Sequence, residues 1–283
     1  MKKLYLVALM SITTFAAAFA ADWASGLKIF DTEITSDNVN DLMPLFGDDE
    51  AEGTVTYDHD TQTLTLNNVY FTSHNGANSF FRFLSTAANK QFKVVVNGLC
   101  DFDNNSIKAH SVFFAEEGVT VTFEGGSSDP YKDAIQIKDG NGFGAKNATM
   151  IFRDVALDFT NEVFAIGGNS SSDLLALTLD HCTLMAHPTG SIFDYLSEFK
   201  MVNCYFKQPA DAAYNADKHR VEINGEALAK MDVQISASEK QGIENTPSPL
   251  WGESERGYKL LRNGQLLINR NGRTYTPTGA EVR

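Results

Sequence analysis

One eight-residue frame recurs along this chain and restricts its fold more than any other feature. It reads apolar, any, apolar, two polar bend residues, apolar, any, apolar; its clearest copy is Leu64-Thr65-Leu66-Asn67-Asn68-Val69-Tyr70-Phe71. It returns as Val94-Val95-Val96-Asn97-Gly98-Leu99, as Met150-Ile151-Phe152-Arg153-Asp154-Val155-Ala156-Leu157 and as Leu177-Thr178-Leu179-Asp180-His181-Cys182-Thr183-Leu184. Phe199-Lys200-Met201-Val202-Asn203-Cys204-Tyr205-Phe206 is a further copy, and Val119-Thr120-Val121-Thr122-Phe123 a worn one. Between copies stands a second short apolar run: Phe80-Phe81-Arg82-Phe83, Val112-Phe113-Phe114, Ala134-Ile135-Gln136-Ile137, Val163-Phe164-Ala165-Ile166 and Ile192-Phe193-Asp194-Tyr195. The two kinds alternate from residue 64 to residue 206. Self-similarity at roughly 20 to 30 residues marks a solenoid.

Within a copy, apolar and exposed residues alternate as a half-buried strand requires. Two polar residues then let the strand turn a corner with its inward face still inward, and Asn or Gly tolerates the left-handed backbone such a corner needs. The second run supplies another wall. The pattern predicts an all-β, right-handed parallel β-helix of about five to six coils. One internal row would hold Leu66, Val96, Val121, Phe152, Leu179 and Met201; another would hold Phe81, Phe113, Ile135, Phe164 and Phe193. An antiparallel sandwich has no need for a bend that recurs in the same phase, and no long stretch shows the helical period near 3.6.

The segments outside the repeat read differently. Residues 1–20 have the form of an export signal: Lys2 and Lys3, an apolar stretch, then Ala18-Phe19-Ala20. Residues 21–62 are expected to cap the first coil. Leu27, Ile29 and Ile34 alternate with polar residues there, Asp37 could cap a short helix running to Met43, and Asp58-His59-Asp60-Thr61 would turn a hairpin. The β-helix is expected over 63–235 and a Pro- and Ser-bearing linker over 236–256. A basic β-hairpin tail should follow over 257–283, with Asn263-Gly264 and Asn271-Gly272 as its turns. A net charge of −13 argues against nucleic acid and against simple adhesion to anionic lipid. No stretch beyond the signal is long enough to span a bilayer. Cys182 and Cys204 share one frame position, which suits a ladder of small buried groups better than a crosslink; Cys100 falls at an outward position.

Leu261-Arg262-Asn263-Gly264-Gln265-Leu266 together with Tyr275-Thr276-Pro277-Thr278-Gly279-Ala280-Glu281-Val282 resembles the C-terminal tail of secreted Bacteroidetes proteins, similar to type IX secretion sorting domains. Tyr57-Asp58 with Thr63-Leu64-Thr65-Leu66-Asn67-Asn68 resembles the opening of β-helix surface proteins from similar bacteria. The resemblance implies a secreted or cell-surface protein that meets the secretion machinery through its tail.

Chemistry is sparse. Asp48-Asp49 stands in the cap region without the Gly-His-Gly of polygalacturonase-like enzymes. Asp101-Phe102-Asp103-Asn104-Asn105 begins like a calcium loop but has Ser106 where Gly is needed and Val112 where Glu is needed. Asp139-Gly140-Asn141-Gly142-Phe143-Gly144 fails similarly, and no two of the six His stand at zinc spacing. The pattern predicts no cofactor and no metal. Arg153 and Asp154 occupy a bend and are expected to face solvent. The outward positions Tyr70 and Tyr205, with Arg82, Gln136, Asp158 and Asp194, offer rings and planar polar groups suited to sugars. The expected function is therefore a largely non-catalytic binding role toward a polysaccharide or another surface protein. The rival is a polysaccharide lyase or glycoside hydrolase of the pectate-lyase-like class using Arg153 and Asp158.

Overall fold

The computed structural model describes residues 25–40, 42–46, 50–72, 79–103 and 111–238, and the backbone of short strands within 258–282. The expected export signal, Asp48-Asp49, the calcium-like loop from Asn104 and most of the expected linker lie outside the described residues. Two compact units divide the chain, residues 1–240 and residues 241–283.

The first unit is all-β, and 18 of its described strands join one sheet, most of them in parallel. The pairings sort into three columns. The first stacks Thr63–Thr72, Gln91–Asn97, Thr120–Gly125, Ala148–Arg153, Leu175–Asp180 and Leu196–Val202, each parallel to the next. The second stacks the end of Thr63–Thr72, then Leu99–Asp103, the start of Ala134–Ala145, the start of Ala156–Gly168, and Thr183–His187. The third stacks Phe81–Phe83, Ser111–Ala115, the end of Ala134–Ala145, the end of Ala156–Gly168, and Ser191–Asp194. Each copy of the frame before the last thus contributes its first half to one column and its second half to the next.

The corner between those halves needs a left-handed residue, and it has one. Asn68, Gly98, Asp154, His181 and Asn203 have φ of 45°, 71°, 53°, 51° and 51°. At Gly98 an added Cβ would stand 2.1 Å from Asn68 Oδ1, so that corner needs glycine. The preceding bend residues form a polar ladder: Asn97 Nδ2 donates to Asn67 Oδ1 (2.7 Å), and Asn67 Nδ2 to Thr54 Oγ1 (2.9 Å). Asp154, expected to face solvent, is instead buried together with His181, whose Nδ1 lies 2.6 Å from Asp154 Oδ1. Pairing along the stack brings them over one another, and each satisfies the other.

Inside the columns lie stacked rings. Phe81, Phe113 and Phe143 stack at 5.0 Å steps, and Phe123 stacks on Phe152 at 4.8 Å. The two rows meet edge to face, as at Phe143–Phe152, 84° apart. Such contacts add about 0.5–1.5 kcal/mol per pair beyond burial.

The expected rows need correction. Leu66 does pair with Val96, but Val121 pairs with Phe92, and the row continuing through Phe152, Leu179 and Met201 begins Leu64, Val94, Phe123. A two-residue slip keeps every side chain on its face, so periodicity cannot detect it. Ile135 sits in the second column beside Cys100 and Leu157; Phe143 takes its expected place beside Phe113. Phe164 points outward, and Ile166 is the inward partner of Phe143 and Phe193. Cys100 is fully buried because its corner has an extra residue: Val69 is buried at the position where Leu99 is exposed. Cys100, Cys182 and Cys204 are all free thiols.

Antiparallel strands close the first end: Glu50–Asp58 on Thr63–Thr72, and Leu27–Ile29 on Phe81–Phe83. The expected turn at Asp58 forms, its Oδ1 accepting from the Asp60 and Thr61 N–H groups. Asp37 starts no α-helix. Turns occupy residues 36–40, and Met43–Phe46 is a four-residue 3-10 helix. At the other end Val233–Ala237 runs antiparallel between Thr183–His187 and Cys204–Gln208. In the second unit, Tyr258–Arg262, Gln265–Arg270, Arg273–Tyr275 and Glu281–Val282 pair in series as an antiparallel sheet.

Candidate functional site: a groove on the outer face of the second column

The worn third copy has the largest local consequence. Its two halves, Thr120–Gly125 and the start of Ala134–Ala145, are separated by the loop 126–133 instead of a tight corner. Asp133 holds this loop. Its Oδ1 accepts from the Gly98 N–H (2.8 Å) and its Oδ2 from the Ser127 N–H (2.7 Å). Burial pushes the Asp133 carboxyl up, but these bonds outweigh it and hold the group below the usual carboxylate range. Thr183 Oγ1 donates to the Pro130 carbonyl at 3.1 Å, fixing the loop's far side.

The loop carries Tyr131, 68% exposed, to the edge of a groove of about 370 Å³. Ala134, Ala156 and Thr183, register partners in successive strands, make a shallow floor. The next outward row runs Tyr70, Asp101, Gln136, Asp158, Met185 and then Gln234 on the antiparallel strand. Gln136, Asp158, Met185 and Gln234 line the groove, with Leu99 and Lys207. Gln136 Nε2 donates to Asp158 Oδ2 at 2.9 Å, leaving the other carboxylate oxygen and the amide carbonyl for a ligand's hydroxyls. Beyond the groove in the same column, Lys138 Nζ donates to Asp101 Oδ2 at 2.6 Å. That bond holds the ammonium above its usual pKa.

The six sequence-derived positions therefore separate. Gln136 and Asp158 meet in the groove. Tyr70 is on the same row, two register steps from Gln136, with its hydroxyl accepting from Thr72 Oγ1 at 2.9 Å. Tyr205 is exposed but lies on a strand separated from Met185 by Val233–Ala237, and it does not line the groove. Arg82 and Asp194 lie on the third column, at opposite ends of the row Arg82, Phe114, Gly144, Gly167, Asp194. Arg82 is engaged there: its Nη2 meets Glu116 Oε1 at 2.6 Å and its guanidinium lies 5.9 Å from the Phe114 ring centre. Between them Phe114, Phe164 and Tyr195 flank a smaller cavity of about 140 Å³.

Arg153 does not join Asp158. Its Nε is 3.3 Å from Asp180 Oδ2, and it does not line the groove. Among the described residues that line the groove, Asp158 is the one carboxylate. Among the described residues no three His, Cys, Asp or Glu side chains gather to hold a metal ion, and no helix is long and apolar enough to cross a membrane.

Sequence reasoning missed Tyr131, Leu99, Met185 and Lys207. The available signal was the worn copy itself, since an insertion that interrupts a repeat lands on one face of the stack. Comparisons with protein-family models, curated proteins and solved structures find no match for this chain.

Proposed function

We propose that the three columns are the walls of a right-handed parallel β-helix, and that the protein is an exported or surface-displayed binding protein whose groove takes a glycan. The single observation that carries the ligand class is the groove's makeup. An exposed aromatic ring at Tyr131 stands beside a flat small-residue floor and a hydrogen-bonded Gln136–Asp158 pair. Sugars offer an apolar ring face and a rim of hydroxyls, so a ring to stack on and paired planar polar groups match both surfaces. The net charge of −13 favours neutral over polyanionic chains. Export rests on the signal-like residues 1–20, and contact with secretion machinery on the tail's resemblance to sorting domains.

The test is titration calorimetry against a panel of neutral and acidic oligosaccharides, with product analysis of the same mixtures. Saturable binding to a neutral glycan is expected. Tyr131→Ala should weaken it by roughly tenfold, the equivalent of about 1.4 kcal/mol of lost stacking. Asp158→Asn should weaken it less, because the amide keeps one acceptor. Release of reducing ends or unsaturated products, lost in Asp158→Asn, would replace the binding reading with an enzymatic one.

A further inference from the structure

The two ends of the stack are finished differently. At the start, antiparallel strands cover the edges of all three columns. At the finish, the last strand of the first column is Leu196–Val202, and among the described residues it pairs only with Leu175–Asp180. Its first residue is tied down: the Leu196 N–H donates to the His219 carbonyl (2.7 Å) and the Tyr214 hydroxyl donates to the Leu196 carbonyl (2.8 Å). Among the described residues no strand forms a ladder along the rest of its outer edge, although Tyr214 of the strand Ala213–Asn215 places its ring centre 6.2 Å from that of Phe199.

Main-chain groups alternate sides along a strand. Val202 gives its carbonyl to the His181 N–H (2.8 Å) on the Leu175–Asp180 side. By alternation Lys200 and Glu198 also face that side, and the N–H and C=O of Phe199 and Met201 point out from the edge. Side chains alternate as well. Glu198, Lys200 and Val202 are exposed on the outer face, whereas Phe199 and Met201 point inward and are half-buried, Phe199 packing against the rings of Phe193, Phe206 and Tyr214. An open edge is a template for another strand, and natural proteins commonly blunt it with charged side chains, Pro or a bulge. This edge carries Glu198 and Lys200, one of each sign, on either side of Phe199.

That arrangement is self-complementary. In an antiparallel pair of two copies centred on Phe199, each Phe199 exchanges both main-chain hydrogen bonds with its counterpart. Each Glu198 then stands opposite the other copy's Lys200. We propose that a second copy of this chain docks there, joining two molecules end to end through a two-fold axis at Phe199. In the single copy Lys200 Nζ lies 2.7 Å from Glu198 Oε1, both well exposed; pairing exchanges this contact for two across the interface. The acidity of the whole chain opposes association, but that repulsion is screened beyond about 8 Å at physiological ionic strength, whereas the facing charges are in contact.

The experiment is a charge swap on the full chain, read by sedimentation and light scattering. The parent protein should form a dimer. Glu198→Lys puts four lysines at the junction and Lys200→Glu puts four carboxylates there, so each variant alone should sediment as a monomer. Mixing the two variants should restore a dimer containing one of each, because each lysine again faces a carboxylate. Both positions are exposed, and thermal melts of each variant check that the fold is retained. Hydrogen exchange adds a second readout: the Phe199 and Met201 amides should be protected in the dimer and not in the variant monomers. A parent chain that stays monomeric up to millimolar concentration overturns the proposal. So does a dimer that both swaps leave intact, and so does mixing without restoration. Protection of those amides in a monomer also overturns it, since a segment of the same chain would then cover the edge.

Discussion

Asp133 shows how one side chain takes over the work of a missing corner. Where the other copies turn on a left-handed residue, the third opens into a loop, and the carboxylate of Asp133 collects the N–H groups of Gly98 and Ser127. Because these bonds depress its pKa in the folded protein, its stabilisation is complete above the ordinary Asp pKa near ~3.9. It is lost as the pH falls further, through the lower folded value. The loop should therefore hold at neutral pH and loosen in strong acid. Limited proteolysis within 126–133 by an acid-tolerant protease is expected to accelerate as pH drops below that range. Asp133→Ala, which strands two N–H groups at a cost of about 1–3 kcal/mol each, should be cleaved readily at all pH values. Cleavage of the parent that does not change with pH would remove Asp133 as the anchor. Nothing in the sequence around Asp133 marks this role, because its partners are main-chain groups, one at the Gly98 corner and one in its own loop at Ser127.

At the level of strands, the repeat was legible and its register was not. Alternation located nearly every strand of the first and second columns. The left-handed corners at Asn68, Gly98, Asp154, His181 and Asn203 fall on the expected bend pairs. Register failed where a slip left the alternation intact, at Val121, and where an insertion shifted the phase, at Ile135. The third column shows the cost of reading only apolar character. In Val163-Phe164-Ala165-Ile166 both Phe164 and Ile166 are large and apolar, yet only Ile166 points inward. Ile166→Ala should destabilise the protein by about 2–5 kcal/mol, because it opens a cavity between Phe143 and Phe193. Phe164→Ala should cost clearly less, since the ring is partly solvated and packs on the outer face against Tyr195. Denaturant unfolding of the two variants compares them directly, and a larger loss for Phe164 would mean the assigned faces are reversed. The candidate site was half legible for a related reason. Gln136 and Asp158 are spaced by the repeat, whereas Tyr131 stands on a loop that no repeat predicts.

At the scale of the whole chain, the two compact units are built differently. In the first unit most strands pair in parallel with the corresponding strands of the preceding and following copies of the frame, so its pairing links neighbouring copies along the chain. The second unit forms its own antiparallel sheet, with each strand pairing the next. The charge of its residues 257–283 is of the opposite kind as well: Lys259, Arg262, Arg270, Arg273 and Arg283 against Glu281, on a chain whose net charge is −13. A unit that pairs within itself is not needed to complete its neighbour's sheet. Removing 257–283 should therefore leave the first unit's melting temperature within a few degrees of the parent, about the shift that 1 kcal/mol produces in a domain of this size. If the tail addresses the protein to secretion machinery, the same truncation should change where the protein accumulates in an exporting bacterial host, the truncated form being retained behind the outer membrane. The two readouts separate the roles. A truncated chain that melts normally but is mislocalised assigns the tail to export, and one that melts much earlier makes the tail a structural cap. Normal melting with normal localisation would leave the sorting-domain resemblance without a function in this protein.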